Sequence, residues 1–327
     1  MERVLVTGGT GFIGSHLVEH LVKKGVSVRC LVRESSNLRW LEGVDVEHIF
    51  GDVTNYDSLE PAVSDVDTVF HLAAKTKSLT EEGFYQTNVK GTVNLLKAVI
   101  QTNPFIKRLV YVSSQAACGP SWDFTPVTES DPSNPITPYG ASKLAGEEAV
   151  LAFSSQIPVT IVRSPVVYGP RDTGIYEFFR IVRRGIRPIV GWRDRYYSFI
   201  YIDDLIEGLL LAAESEKAVG QMYFLVTQSG VTYRKMISDI ASVIGKRTVP
   251  VYLPMSILIL IAMVNGLISK LRRKPSVVNL HKVREFWDRF WLCDGSKAME
   301  ELGFSPEVFI REGMEKCAAW YREVGWL

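Results

Sequence analysis

Tyr139 and Lys143 stand four residues apart, and Ser114 lies 25 positions before the tyrosine. Together these residue types can move a proton. The four-residue spacing puts Tyr139 and Lys143 on one face of a helix. A tyrosine phenol ordinarily ionises near pH ~10, too high for a base at neutral pH. A nearby ammonium favours the phenolate and lowers that value. Tyr139 can then pass a proton to or from a carbinol oxygen, with Ser114 bonding that oxygen. A Y-x-x-x-K pair is common by chance, so its meaning depends on the elements that position it.

Those elements begin at the first residues. Val4-Leu5-Val6 predicts a strand, and Thr7-Gly8-Gly9-Thr10-Gly11-Phe12-Ile13-Gly14 a turn. Leu17, Val18, Leu21 and Val22 then predict the apolar face of a helix. Glycines at 8, 11 and 14 let backbone N–H groups and a helix N-terminus approach a pyrophosphate. A glycine turn between a strand and a helix is the context of a dinucleotide site. An oxidised nicotinamide would add a second positive charge beside Tyr139. In NAD-selective sites of this kind an acidic residue ends the second strand. Here Val32 holds that place and Arg33 follows, with Ser35, Ser36 and Arg39 nearby. An arginine forms paired bonds to a 2′-phosphate, so the expected cofactor is NADP(H); Glu34 keeps NAD(H) open.

Further strands are expected over 26–32, 44–49, 66–72, 108–113 and 159–162. Helices are expected over 58–63, 85–100 and 138–153, the last with Pro138 in its first turn. This alternation predicts an α/β fold, a doubly wound parallel sheet. Ligands bind at the carboxyl ends of such strands, so Gly8–Gly14, Arg33, Asp52, Ala73 and Ser113–Ser114 should converge. Beyond Tyr168 the pattern loosens. Helices are expected at 175–184, 203–214 (capped by Asp203), 232–245, 254–270 and 307–324, with strands at 196–202 and 223–226. The expected division is a dinucleotide-binding domain over 1–168, to which 199–226 returns. A smaller interleaved C-terminal substrate subdomain takes 169–198 and 227–327.

Net charge is +1 over 327 residues, which gives no electrostatic case for nucleic acid. Four scattered cysteines make neither a disulfide framework nor a metal site. They predict a reducing, cytoplasmic setting, and Met1-Glu2-Arg3 runs straight into a strand with no signal peptide. The segment 255–268 is strongly apolar and is followed by Arg272-Arg273-Lys274. A buried helix walling a pocket or interface fits it. So does a helix lying on a membrane surface through 255–274. It is shorter than the ~20 residues of a spanning helix.

With these features in view, the chain resembles the extended short-chain dehydrogenase/reductase family, of the NAD-dependent epimerase/dehydratase type with a Rossmann domain. The resemblance covers essentially the whole length. It rests on the 7–14 turn, Gly51-Asp52-Val53, Phe70-His71-Leu72-Ala73-Ala74 and Asn88-Val89-Lys90-Gly91-Thr92. It continues through Val112-Ser113-Ser114, Tyr139-Gly140-Ala141-Ser142-Lys143, Val167-Tyr168-Gly169-Pro170-Arg171 and 199–205. It implies catalysis by Ser114, Tyr139 and Lys143. It implies a cofactor held by Gly8, Gly11, Phe12, Ile13, Gly14, Arg33, Ser36, Asp52, Val53, Leu72, Ala73, Ala74, Ser113, Pro165 and Val166, with Tyr139 and Lys143. Asp52 would meet the adenine, and Lys143 the nicotinamide ribose. His71 is implied to be structural. A homodimer through helices 85–100 and 138–153 is also implied.

The branch is less decided. Nucleotide-sugar epimerases and dehydratases of the family carry an asparagine after the sixth strand that holds the diphosphate; here Val166 stands there. Arg163-Ser164-Pro165, Arg33 and the apolar 255–268 helix are similar to dihydroflavonol-reductase-like and 3β-hydroxysteroid-dehydrogenase-like members. Trp122, Phe124, Trp192, Tyr196 and Tyr197 would line an apolar pocket or simply pack. Arg171, Arg180, Arg183, Arg184, Arg187, Arg193 and Arg195 would bind a diphosphate or form a solvated face. The expected activity is NADP(H)-dependent interconversion of a secondary alcohol and ketone on a largely apolar small molecule. The second reading is a nucleotide-sugar epimerase or dehydratase with transient hydride transfer. The third is a non-catalytic dinucleotide-binding sensor or assembly subunit, against which the intact Ser114, Tyr139 and Lys143 speak.

Overall fold

A computed structural model describes residues 1–272 and 280–327. Its strands in chain order are β1 (Arg3–Thr7), β2 (Ser27–Val32), β3 (Glu47–Phe50), β4 (Thr68–His71), β5 (Arg108–Ser114), β6 (Val159–Ser164), β7 (Val166–Tyr168), β8 (Ile186–Val190), β9 (Tyr196–Tyr201), β10 (Met222–Phe224), β11 (Gln228–Thr232), β12 (Val249–Leu253) and β13 (Phe290–Trp291). Seven of them form one sheet in the order β10-β6-β5-β4-β1-β2-β3. Every pair in it is parallel.

The side-chain period of two explains why this sheet is covered on both faces. Val4 and Val6 of β1 join one buried cluster with Leu17, Val18 and Leu21 of the helix Phe12–Lys23 and Leu205 of the helix Ile202–Glu214. Leu5, between them, joins a second cluster with Leu95, Leu96 and Val99 of the helix Thr92–Thr102 and Val150 of the helix Pro138–Ala152. Each fully buried aliphatic contributes ~1.5–3 kcal/mol. The result is the doubly wound α/β architecture. The strand order reverses beside β1, so the turn after β1 opens at the switch point.

The expected helix over 85–100 is broken. Glu81–Tyr85 is α-helical, Gln86–Gly91 is a π-turn and Thr92–Thr102 resumes the α-helix. Asn88 inside the π-turn is buried and bonded outward. It accepts from Lys75 N–H at 2.7 Å and donates to Lys75 O at 3.1 Å and Ser142 Oγ at 2.9 Å. Asp203 does not cap its helix; Tyr201 stands at the N-cap and Asp203 lies in the first turn. A carboxylate there still meets the positive end of the helix dipole.

The second half carries short elements that the sequence pattern misses. β9 pairs with β11 antiparallel and with β7 and β13 in parallel. β8 and β12 make a parallel two-stranded ribbon. The helix Met255–Arg272 follows β12 at once. Arg273 and Lys274, part of the expected 255–274 membrane segment, lie outside the described residues. Among the described residues no helix is long and apolar enough to cross a membrane.

Candidate active site

The glycine turn is built for close approach. Gly8 has φ +76°, and a Cβ there would come within 2.8 Å of Ala73 N. A Cβ on Gly14 would come within 2.2 Å of Gly8 O. Only glycines let the first turn of the helix sit on the loop and let the loop sit on the end of β4. Beside it opens a cleft of about 230 Å³. Gly8, Gly11, Arg33, Ser36, Asp52, Val53, Leu72, Ala73 and Ala74, nine of the positions the resemblance names for a cofactor, line it. Thr7, Thr10 and Gly51, which lie in the motif stretches without being named as site residues, line it too, as do Leu31 and Thr87. Phe12, Ile13 and Gly14 form the first turn of the adjoining helix rather than the cleft lining. Pro165 and Val166 stand at the junction of β6 and β7. This cradle, which side chains would fill, fits a dinucleotide.

Its floor is a chain of hydrogen bonds. Ala73 N–H donates to Thr7 Oγ1 at 3.2 Å, and Thr7 Oγ1 lies 2.7 Å from His71 Nδ1. His71 Nε2 lies 3.0 Å from Thr92 Oγ1, which donates to Asn88 O at 2.8 Å. Burial, with the Lys143 charge, pushes His71 down to about 3. It is a neutral bridge between strand ends.

The Arg33 turn is pinned at both ends. Arg33 N–H donates to Ser36 Oγ at 3.1 Å, and Ser36 N–H donates to Arg33 O at 2.9 Å. Val32, where an acidic residue would stand for NAD, is buried in the core. Asp52 Oδ1 accepts from Thr54 N–H and Thr54 Oγ1, both at 2.8 Å.

Thr137 caps the helix that carries Tyr139 and Lys143, accepting from Gly140 N–H at 3.2 Å. Lys143 reaches the end of β5, where its Nζ donates to Val112 O at 2.8 Å and sits 4.0 Å from the Tyr111 ring centroid. Burial lowers the ammonium to about 7, opposed by the Glu147 charge. Burial also pushes the Tyr139 phenol up to about 12, opposed by a hydrogen bond with Ser114. The sequence predicts a depressed tyrosine. The structure reverses that sign, because desolvation of the phenolate outweighs its stabilisers. Ser114 also caps the helix Gln115–Cys118, accepting from Ala116 N–H at 3.2 Å. Ser113, buried beside it, donates to Glu147.

Glu147 was not singled out by the sequence, and Arg163 only as part of the Arg163-Ser164-Pro165 resemblance. They form a two-pronged pair, Nη2–Oε2 2.7 Å and Nε–Oε1 3.0 Å, with both side chains buried. The signal was available: Tyr139, Lys143 and Glu147 recur every four residues on one helical face.

The basic run divides. Arg171 bonds Ser15 Oγ at 3.0 Å and Glu19, and lies over the Trp40 ring. Arg195 is buried and donates to the carbonyls of Val190, Arg193 and Phe286. Arg180 pairs with Glu177, while Arg183 and Arg184 are solvent-exposed. Of the aromatics, Phe124 packs edge-on against Tyr196 at 4.8 Å, and Phe290 stacks on Tyr196 at 5.6 Å. Trp192 stacks on Tyr252 at the surface, and Trp122 projects into solvent. Phe84 lies 6.1 Å from the Tyr139 ring. The Glu285 charge acts on both Tyr139 and Tyr197.

Fold and cleft together define a dinucleotide-dependent enzyme of the extended dehydrogenase/reductase type. The chain belongs to the NAD dependent epimerase/dehydratase family, whose model matches residues 4–225. It is 29% identical to a ceramide reductase of Caulobacter vibrioides, over 99% of this chain and 96% of that one. It is 27% identical to a 3beta-hydroxysteroid-dehydrogenase/decarboxylase of Arabidopsis thaliana, over 95% and 78%. Among solved structures it superimposes on the UDP-glucose 4-epimerase of Thermotoga maritima with UDP-glucose. There the TM-score is 0.81 at 25% identity, over 98% and 99%.

Proposed function

We propose that this enzyme interconverts a secondary alcohol and a ketone on a largely apolar, lipid-like molecule, using NADP(H). In the oxidative direction Tyr139 would take the alcohol's hydroxyl proton as the carbinol hydride leaves. The reverse direction restores both. Bound dinucleotide supplies or accepts that hydride. Ser114 holds the substrate oxygen, and Lys143 steadies negative charge on Tyr139 and bonds the nicotinamide ribose. Gly8, Gly11, Asp52 and Ala73 hold the dinucleotide, and Arg33 with Ser36 takes the 2′-phosphate. Residues 169–198 and 227–327 provide the substrate-binding subdomain, and two copies pair through the faces of helices 92–102 and 138–152.

One observation carries the choice of substrate. Arg171 and Arg195 are committed to internal partners, and Val166 stands where sugar-nucleotide members place a diphosphate-binding asparagine. The names of the ceramide and hydroxysteroid relatives support a lipid-like substrate. The likeness to an epimerase favours a second reading, hydride removal and return on a nucleotide sugar. The deciding assay follows NADPH oxidation with a panel of hydrophobic ketones, beside epimerisation of UDP-hexoses. Ketone-dependent NADPH consumption without epimerisation supports the first reading. Epimerisation with tightly retained NAD overturns it.

A further inference from the structure

The helix Met255–Arg272 is inside out for a surface helix of a water-soluble protein. Ala262 and Ser269, small residues, face inward, while Ile257, Leu260, Ile261, Val264 and Ile268 face outward. Leu260 is 61% exposed. The outward residues recur at three- and four-residue spacing, so they form one apolar stripe along the helix. Just before the helix, Tyr252 carries the stacked Trp192, itself 73% exposed. Exposed apolar faces of this extent mark an interaction surface.

The charge around the stripe selects its partner. From Ile240 to Arg284 the sequence holds no Asp or Glu in 45 residues, against eight Lys and Arg. The chain as a whole carries only +1. Lys246, Arg247, Arg272 and Arg284 are exposed. A second copy of this chain would bring the same cations to a shared face and repel itself. An anionic lipid surface answers both features, apolar depth for the stripe and negative headgroups for the cations. We infer that the face of helix 255–272 docks in the plane of an anionic bilayer, with Trp192 and Tyr252 at the headgroup level.

The test is co-sedimentation of the full chain with vesicles. One set is phosphatidylcholine alone; the other adds about a third phosphatidylglycerol to supply negative surface charge. The expected result is pelleting with the anionic vesicles, weakened by added salt and much lower on phosphatidylcholine alone. Leu260→Asp/Ile261→Asp, at two exposed positions, should weaken it ~10-fold or more. Lys246→Glu/Arg247→Glu, which spares the apolar stripe, should weaken it and flatten its salt dependence. Circular dichroism checks the fold of both variants. Pelleting that ignores lipid charge and salt, or that survives the aspartates, would overturn the inference. So would vesicle-independent behaviour in which the aspartates merely split an oligomer in sedimentation velocity, since the face would then belong to a second copy. Neither readout involves the dinucleotide cleft, so this result stands apart from the proposed activity.

Discussion

Glu147 lies one helical turn beyond Lys143, and Arg163 grips it with two short bonds in a site closed to water. The carboxylate thus faces two cations and supports the charge of the lysine beside Tyr139. A single buried carboxylate joins fold stability to the electrostatics of the site.

Replacing it should therefore do two things. Glu147→Gln leaves the Arg163 guanidinium buried and uncompensated, a loss of ~3–5 kcal/mol in denaturant unfolding. It should also lower the Lys143 ammonium further, since the opposing charge is gone. An unchanged unfolding midpoint would show that Arg163 reaches water in solution.

Lys143 predicts a pH dependence with a definite sign. Its ammonium ionises at about 7 in the folded chain against 10.5 ordinarily. Between those values the unfolded chain holds more protons at this site, so stability rises with pH across the window. Below it the cost of burying the charge is full. Lys143→Met should remove this rise, measured as unfolding free energy from neutral to alkaline pH. Parallel curves for the two proteins would exclude a burdened lysine.

Tyr139→Phe should cut turnover ~10²–10⁴-fold while dinucleotide affinity holds. Because burial holds the phenol near 12, alcohol oxidation should climb with pH through the neutral range. Ketone reduction, which needs the protonated phenol, should stay flat over the same range. Kinetics in both directions check this, and substantial residual activity in the phenylalanine variant would remove Tyr139 from the chemistry.

Arg33→Ala should weaken NADPH by ~1.5–3 kcal/mol, the worth of a charge-assisted bond, and leave NADH nearly unchanged. Fluorescence titration of the two nucleotides measures the difference. Equal losses would point to stacking on adenine instead of phosphate recognition.

Much of the cleft was legible because glycine, alternation and strand-end position are local signals. Gly14 is dictated by its contact with Gly8 within the turn, and Gly8, Gly11, Arg33, Asp52 and Ala73 of the cleft lining follow from strand-end position, while Ser36, Val53, Leu72 and Ala74 came from the resemblance. What was missed depends on long-range partners. Ser113 points at Glu147, 34 positions away, and Asn88 earns its π-turn through Lys75 and Ser142. The strands β7, β8, β11, β12 and β13 are five residues or fewer and take their shape from neighbours. The sign of the Tyr139 shift failed for the same reason. Spacing shows that an ammonium is near, but not how much water is left.

The floor of the cleft carries a last implication. Thr92 gives its one hydrogen to Asn88 C=O, so it accepts from His71 Nε2–H, and Nδ1 of the neutral ring then accepts from Thr7 Oγ1, whose oxygen takes the Ala73 N–H. The imidazole has one tautomer, and no rotation of a single hydroxyl leads to a second arrangement. A ligand that bonds this floor therefore meets one fixed set of donors and acceptors, with no tautomer to exchange first.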